Sequence, residues 1–513
     1  MTRFAIVLSM MFFAIGIGRP QDDSGSFHPA IPKTWDDAEI ATLEVPLAIA
    51  ASSPKHVSAG YYYRIPVRPI YKQYPIYPPG RGPAGYIDWL RRQEPVIVWG
   101  EDKNGQRYAP PLETKTDWIK AGELVFDSVL GYFPMTDQSL SQIGDYTSKR
   151  GIPLAKDGTV PFFSFVIRRK GQIEAATGQC GQCHTRVMPD GTLLKGAQGN
   201  IPGDRTFAED LRAGIRGPIE VVRALERSLF GAPPALRSDP LPDLDKLSIE
   251  EIASINEVIP AGVAARHRTS PFLPVQVPDL IGVKDRKYLD RTGLQRHRSI
   301  ADLMRYGALN QGLDSLASYN GFIPFGGSAF DKLPEPDKSG VQRYSDEQLY
   351  ALSLYLYSLK PPVNPNRWGA SAARGQNVFE REGCGGCHTP PLYTNNKLTP
   401  AIGFSVPEAH KARYDILPVI VGTDPRLTME TLRGTGYYKV PSLKGVWYRN
   451  MFEHNGSVAT LEDWFDPARL RDDYVPTGFK GYGVKTRAVK GHEFGLKLSA
   501  DDKKALIAFL KTL

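Results

Sequence analysis

Cysteine is scarce in this chain: 513 residues hold only four, which excludes a dense disulfide scaffold. Histidine (nine) and methionine (eight) are also few, so candidate metal ligands can be weighed one by one. The formal charge of +8 is not gathered into a basic run. No basic–aromatic platform accompanies it, which excludes nucleic-acid binding. The modest excess suits an acidic redox partner or a weak encounter with a membrane surface. Long apolar runs are missing as well. The longest, Phe4 to Ile17, has 14 residues, short of the roughly 20 that span a bilayer as a helix. With Arg3 ahead of it, it reads as an export signal over residues 1–18, with Gly16 and Gly18 as small residues before cleavage but no Ala-x-Ala. No membrane span is expected after cleavage. Glycine (49) and proline (43) are plentiful, which predicts many turns and long irregular connections. A hydrophobic content of 41% and a charged content of 23% are ordinary for a globular protein with real cores.

All four cysteines fall in two copies of one pattern, Cys180-Gly181-Gln182-Cys183-His184 and Cys384-Gly385-Gly386-Cys387-His388. C-x-x-C-H is the attachment signature of c-type haem: two thiols can bond the vinyl groups of one porphyrin, and the next residue offers an imidazole to the iron. Three other readings compete. Two Cys pairs sharing a zinc lie roughly 12 to 20 residues apart, whereas Cys180 and Cys384 are 204 positions apart. A thioredoxin-type pair would explain one motif and neither histidine. Two ordinary disulfides remain open for an exported protein. Covalent haem attachment takes place outside the bacterial cytoplasm, so motif and signal agree on a periplasmic or secreted protein.

The flanks of the motifs repeat. Gly122-x-x-Val125-Phe126 and Gly375-x-x-Val378-Phe379 predict a short helix ahead of each motif. Cys384 follows Phe379 after five positions, but Cys180 follows Phe126 after 54, so the first unit carries an insertion. Its later half, residues 162–177, predicts a β-hairpin turning at Lys170-Gly171, and Pro189-Asp190-Gly191 marks a further turn. Pro278-Asp279-Leu280-Ile281-Gly282-Val283 echoes Pro441-Ser442-Leu443-Lys444-Gly445-Val446 at an offset of 163. Gly293 and Gly456 follow at the same distance. Each unit closes on a helix, with Ser345/Gln348 and Ser499/Asp502 as capping-box pairs. Prolines 361, 362 and 365 forbid helix continuation and mark a linker. These patterns predict a mainly α protein: two cytochrome c-type haem domains in tandem, at 118–360 and 368–513, joined by 361–367. A long irregular N-terminal extension would occupy 19–117, weakly structured to about residue 60. The Tyr- and Pro-rich stretch 61–83 reads as an extended segment lying over another surface, with its three tyrosines packed.

A haem that only carries electrons usually holds a protein ligand on both faces, and one that binds substrate keeps a face open. In the second unit His492 lies seven residues before the Ser499 cap, placed to reach back to the iron. Met429, Met451 and His454 are its rivals. The matching position in the first unit is Lys338, and Met188, Met304 and His297 are the remaining candidates there. The asymmetry points to an open first haem. Arg286, Arg291, Arg296, His297 and Arg298 cluster around Tyr288 and read mostly as a solvated face. Arg286 and Arg449 are equivalent in the repeat and are candidates for haem propionates.

These residues resemble the bacterial di-haem cytochrome c peroxidase superfamily, which includes the di-haem enzyme maturing the quinone cofactor of methylamine dehydrogenase and the di-haem rubber oxygenases. The resemblance rests on Cys180–His184, Cys384–His388 and residues 440–464 and 491–513, and it covers roughly 118 to 513. The pattern is most similar to the rubber-oxygenase branch. That branch implies a late His capping the second haem, which supports His492, and a first haem that takes oxygen. The family's inter-haem Trp has no counterpart between the motifs except Trp368, and Tyr288 is the nearest stand-in. Related peroxidases carry a calcium ion between the domains, for which no loop signature appears here. The resemblance implies an oxidoreductase whose second haem feeds electrons to a first haem that binds peroxide or oxygen, with a redox partner protein or small oxidant. A carrier cytochrome with both irons six-coordinate is the alternative, and a zinc-stapled structural protein the third reading.

Overall fold

The computed structural model describes residues 25–231, 246–265, 268–325 and 333–513; the signal expected over 1–18 lies outside the described residues. Two crossed helix pairs form the frame. Lys115–Asp127 packs against Asp346–Ser358, and Ala370–Arg381 packs against Ala500–Lys511. Both crossings are built from the Gly-x-x-Val-Phe repeat. A Cβ on Gly122 would stand 2.0 Å from the Ala351 carbonyl oxygen, and one on Gly375 1.9 Å from that of Ala505. Only glycine lets the backbones approach so closely. The ring of Phe126 then meets Tyr355 with centroids 5.3 Å apart, and Phe379 meets Phe509 at 5.4 Å.

The caps follow the repeat with one departure. Ser345 and Gln348 make the full reciprocal box. Ser499 accepts from the Asp502 N–H, but the Asp502 carboxylate turns away to Arg374 (2.7 Å) and Arg381 (3.0 Å). Two guanidinium groups outcompete one cap amide for that carboxylate. The echo at offset 163 is also real in the backbone: Gly282 and Gly445 share φ 74°, in the left-handed region that favours glycine.

The hairpin forms as expected. Ser164–Arg169 pairs antiparallel with Gln172–Thr177, at the centre of a four-stranded sheet closed by Gln73–Pro75 and Gly131–Pro134. Pro75 sits on an edge strand, where its missing N–H costs no ladder bond. The first unit also carries three helices that the sequence reading passed over, Gly203–Arg212, Ile219–Phe230 and Ile249–Glu257, packed around Leu211, Val222 and Ile252.

The lead-in to about residue 60, expected to be weakly structured, is corrected in its described part. Asp36 caps the helix Asp37–Leu43 through its side chain, and that helix buries Ile40 and Leu43. Trp35 is buried, donates from Nε1 to the Val57 carbonyl and stacks on Tyr62 at 4.6 Å. The segment is ordered because it covers the first unit: Thr34 N–H donates to Asp346, and Tyr61 OH to the Pro334 carbonyl. Polar residues between these anchors hid that apolar set. The three tyrosines pack as expected, with Tyr62 at the centre. Residues 361–367 form neither helix nor strand, and Val363 is 94% exposed.

Candidate cofactor sites

The second motif opens on a cavity of about 220 Å³ whose wall includes Cys384, Cys387, His388 and His492. The two histidine rings face one another with centroids 6.3 Å apart. That spacing suits two imidazoles on opposite sides of one metal, given a metal–nitrogen bond of about 2 Å. His388 donates from Nδ1 to the Tyr393 carbonyl at 3.2 Å, which leaves Nε2 for a metal. Burial and the nearby His388 push His492 down to about 4, so it is neutral and fit to ligate. Its Nδ1 is buried with no hydrogen-bond partner.

His492 is held in place by its loop. Its φ of 46° is left-handed, and its N–H donates to the Val421 carbonyl at 2.6 Å. Preceding it, Gly491 (φ 86°) tolerates no side chain: a Cβ there would stand 2.3 Å from the Thr423 nitrogen. Arg469, 1% exposed, donates to the carbonyls of Trp464, Val489, Gly491 and His492 at 2.7–2.9 Å. Trp464 and Phe494 flank the His492 ring at 5.2 and 5.3 Å. Sequence reasoning missed Arg469 and Trp464. A signal was there: Thr460-Leu461-x-Asp463-Trp464-Phe465 mirrors Ser299-Ile300-x-Asp302-Leu303-Met304, and both segments open helices.

The rivals of His492 have other work. Met429 and Met451 pack in separate apolar clusters. His454 lines the same cavity, but its Nδ1 pairs with the Glu453 carboxylate and its ring stacks on Tyr438 at 4.5 Å.

At the first motif, Cys180–His184 form one helical turn. His184 donates from Nδ1 to the carbonyl of Pro278 at 3.0 Å. Its repeat partner, Pro441, likewise offers its backbone to His388. In both units the Arg seven residues on from the residue after that proline reaches back: Arg286 donates to the Asp279 carbonyl and Arg449 to that of Ser442 at 2.9 Å. Asp279 differs from Ser442 in carrying charge. Its buried carboxylate accepts from the Ile281 N–H and from Tyr448 OH at 2.6 Å, a bond that crosses from the second unit.

The first-unit candidates for a facing ligand fare differently. His297 spends both ring nitrogens, on the Arg286 carbonyl and on Tyr357 OH. Met304 is fully buried in the main apolar cluster, to which Cys180 also packs. Met188 packs with Ile281 and Tyr448. Lys338, at the position matching His492, is exposed. Tyr288, the expected relay, is buried with its OH accepting from the Asp415 N–H, and it lines a small cavity at the seam of the two units. Trp368 is 56% exposed on the outer side of Phe509. The solvated-face reading of the arginines holds for Arg298, which pairs with Glu39 and Asp302. It fails for Arg286 and Arg291, which turn into the seam.

The four thiols are unbridged. Burial pushes Cys180 up to about 12 and Cys384 up to about 11, the opposite of the lowered pKa that a thioredoxin-type pair needs. Among the described residues no three His, Cys, Asp or Glu side chains gather as a metal-ion group, so nothing there supports a shared zinc. The residues at the second motif fit c-type haem, and those at the first offer the same two thiols beside an imidazole oriented by a carbonyl.

No family model matches the chain. An uncharacterized protein of Sinorhizobium fredii (strain NBRC 101917 / NGR234), y4iJ, is 28% identical over 193 residues. The match takes in 31% of this chain and 32% of that protein, so the chain spans about a third of its curated relative's length. Among solved structures, Kuenenia stuttgartiensis hydrazine synthase aligns over 60% of this chain and 92% of its own, at 15% identity and a TM-score of 0.31. A MauG-like protein associated with microbial copper homeostasis aligns over 33% and 56%, at 19% identity and a TM-score of 0.21. At these scores the likeness establishes neither fold nor chemistry.

Proposed function

We propose that this chain is an exported di-haem c-type oxidoreductase of two tandem units, one for handling electrons and one for meeting a small oxidant. The observation that carries the proposal is the facing of His388 and His492 across a cavity walled by Cys384 and Cys387. When bound, the two haems would supply one-electron chemistry and, at an open iron face, activation of peroxide or oxygen.

The protein's share is positioning. Cys384 and Cys387 would tether a haem and His388 and His492 would offer it imidazoles, which suits electron transfer without substrate. Arg469 keeps the His492 loop from relaxing by satisfying three of its carbonyls and tying it to the Trp464 carbonyl. At the first site Cys180 and Cys183 would tether a haem, and the Pro278 carbonyl orients His184 from one side. With His297 engaged and Lys338 exposed, no histidine among the described residues matches His492 there. That asymmetry favours the enzyme over the carrier cytochrome. The resemblance to the di-haem peroxidase superfamily supports this reading, and its rubber-oxygenase branch brings no substrate with it.

Optical and EPR spectra of the holoprotein, expressed with haem-maturation machinery, test the proposal. One high-spin and one low-spin haem are expected, with the high-spin haem responding to cyanide and peroxide. Two low-spin haems inert to both would make the protein a carrier. No covalent haem on a denaturing gel would end both readings.

A further inference from the structure

The seam between the two units holds more positive charge than it answers. A small cavity of about 30 Å³ there is lined by Arg286, Arg291 and Arg449, with Asp279 as the lining carboxylate. Asp279 is already engaged by Tyr448 and the Ile281 N–H. Arg286 directs two of its nitrogens to the backbone carbonyls of Asp279 and Ile281. Among the described residues the Arg291 side chain reaches only the Gln276 carbonyl, at 3.4 Å, and Arg449 Nε is buried without a partner. The Asp290 carboxylate beside Arg291 is held by Arg433 at 3.0 Å. Burial together with the charges of Arg449 and Arg286 drives the Arg291 guanidinium down to about 9. A guanidinium in that condition lacks an anion.

The position of the cavity says which anion fits. Arg291, Lys439, Ser442 and Arg449 line both this cavity and the large one between His388 and His492. Arg291 belongs to the first unit, yet it forms part of the wall of the second unit's site. We infer that Arg291 and Arg449 form a carboxylate-binding pocket that takes the propionates of the second haem, with Arg291 supplied across the seam by the first unit. This rests on the haem reading above and adds two consequences. The second site is incomplete without the first unit, and seating of its cofactor ties the two units together by charge. A free oxyanion such as phosphate shares the same chemistry and is the other source to separate.

The test is redox titration of the low-spin haem in the holoprotein for Arg291→Gln, Arg291→Lys, Arg449→Gln and the exposed control Lys444→Gln. Loss of a cation beside a propionate favours the ferric state. Arg291→Gln and Arg449→Gln should therefore each shift the reduction equilibrium roughly tenfold toward ferric, about 59 mV for one electron. Arg291→Lys should keep most of the wild-type value, and Lys444→Gln all of it. Phosphate should leave the wild-type melting temperature and potential unchanged, because the pocket is filled. If Arg291→Gln loses only the second covalent haem, the inference also stands. Both haems present with an unmoved potential would overturn it and leave the haem reading intact. Phosphate that stabilises wild type but not Arg291→Gln would overturn it in favour of a free anion. Absence of haem from wild type would sink the haem reading itself.

Discussion

The two units share a frame and differ in what they place beside it. Both cross their helices on a glycine, both aim a proline carbonyl at the histidine of the motif, and both hold the next carbonyl with an arginine. In the second unit, a compact loop pinned by Arg469 delivers His492 opposite His388. In the first, the matching position is an exposed lysine, and the added chain goes into a sheet, three helices and a covering N-terminal segment. The first unit also has a buried carboxylate, Asp279, where the second has a serine that bonds the Leu392 carbonyl. One copy of the frame has a facing histidine and the other an enclosure, and the proposed division of roles rests on that difference.

The largest effect expected is the loss of one haem at a time. Cys384→Ala with Cys387→Ala should remove the low-spin haem and leave the high-spin one, and Cys180→Ala with Cys183→Ala should do the reverse. Pyridine haemochrome absorbance would halve in each. If either pair removed both haems, the units would not be separable.

His492→Ala should convert the low-spin haem to high spin and open it to cyanide, with the first haem unchanged. His297→Ala, at the first unit's candidate histidine, should leave both spectra alone and cost about 1–3 kcal/mol of stability, because it strips two buried hydrogen-bond partners. A spectral change in His297→Ala alone would reverse the assignment of roles.

Gly122→Ala and Gly375→Ala should destabilise to a similar degree, about 1–3 kcal/mol or more each, since each Cβ would meet a backbone oxygen at 2.0 or 1.9 Å. Thermal melts would read this. A large cost in one and none in the other would break the likeness of the two frames.

The first unit should show the larger loss of stability with rising pH, since the second holds only Glu430 with a carboxyl raised by burial among the described residues. Burial raises Glu226 to about 8 and Asp204 to about 7, well above unfolded carboxylates at about 4. The folded state binds these protons more tightly, so the stabilisation is full below about pH 4 and is lost as pH climbs toward 8. Glu226→Gln should flatten that slope in urea melts taken from pH 5 to 9. An unchanged slope would place the titration elsewhere.

The smallest effect is the most local. Tyr448→Phe deletes a buried bond from the second unit to Asp279, beside the carbonyl that orients His184. It should cost about 1.5–3 kcal/mol at most and shift the potential of the first haem while sparing the second. A shift confined to the second haem would contradict the direction of that contact.

Local features were readable because they repeat or cap. The C-x-x-C-H motifs, the helix-crossing glycines, the Ser345 cap, the hairpin at Lys170-Gly171 and the seven-residue lead of His492 over Ser499 each depend on neighbours within a few positions. The N-terminal lead-in was harder to read because its apolar residues, Trp35, Leu43 and Val45, are spaced for a surface far along the chain rather than for one periodic element. The arginines near Tyr288 were misread because composition alone cannot tell a solvated cation from one turned into a seam.

By itself, then, the sequence determined the two C-x-x-C-H motifs and the repeated helix crossings, since thiol spacing, caps and close-approach glycines act over one or two helical turns. Only the tertiary structure decided which of the nine histidines faces His388, and that Arg291 of one unit walls the site of the other. Those outcomes depend on contacts between residues about 100 to 150 positions apart, and no local pattern carries them.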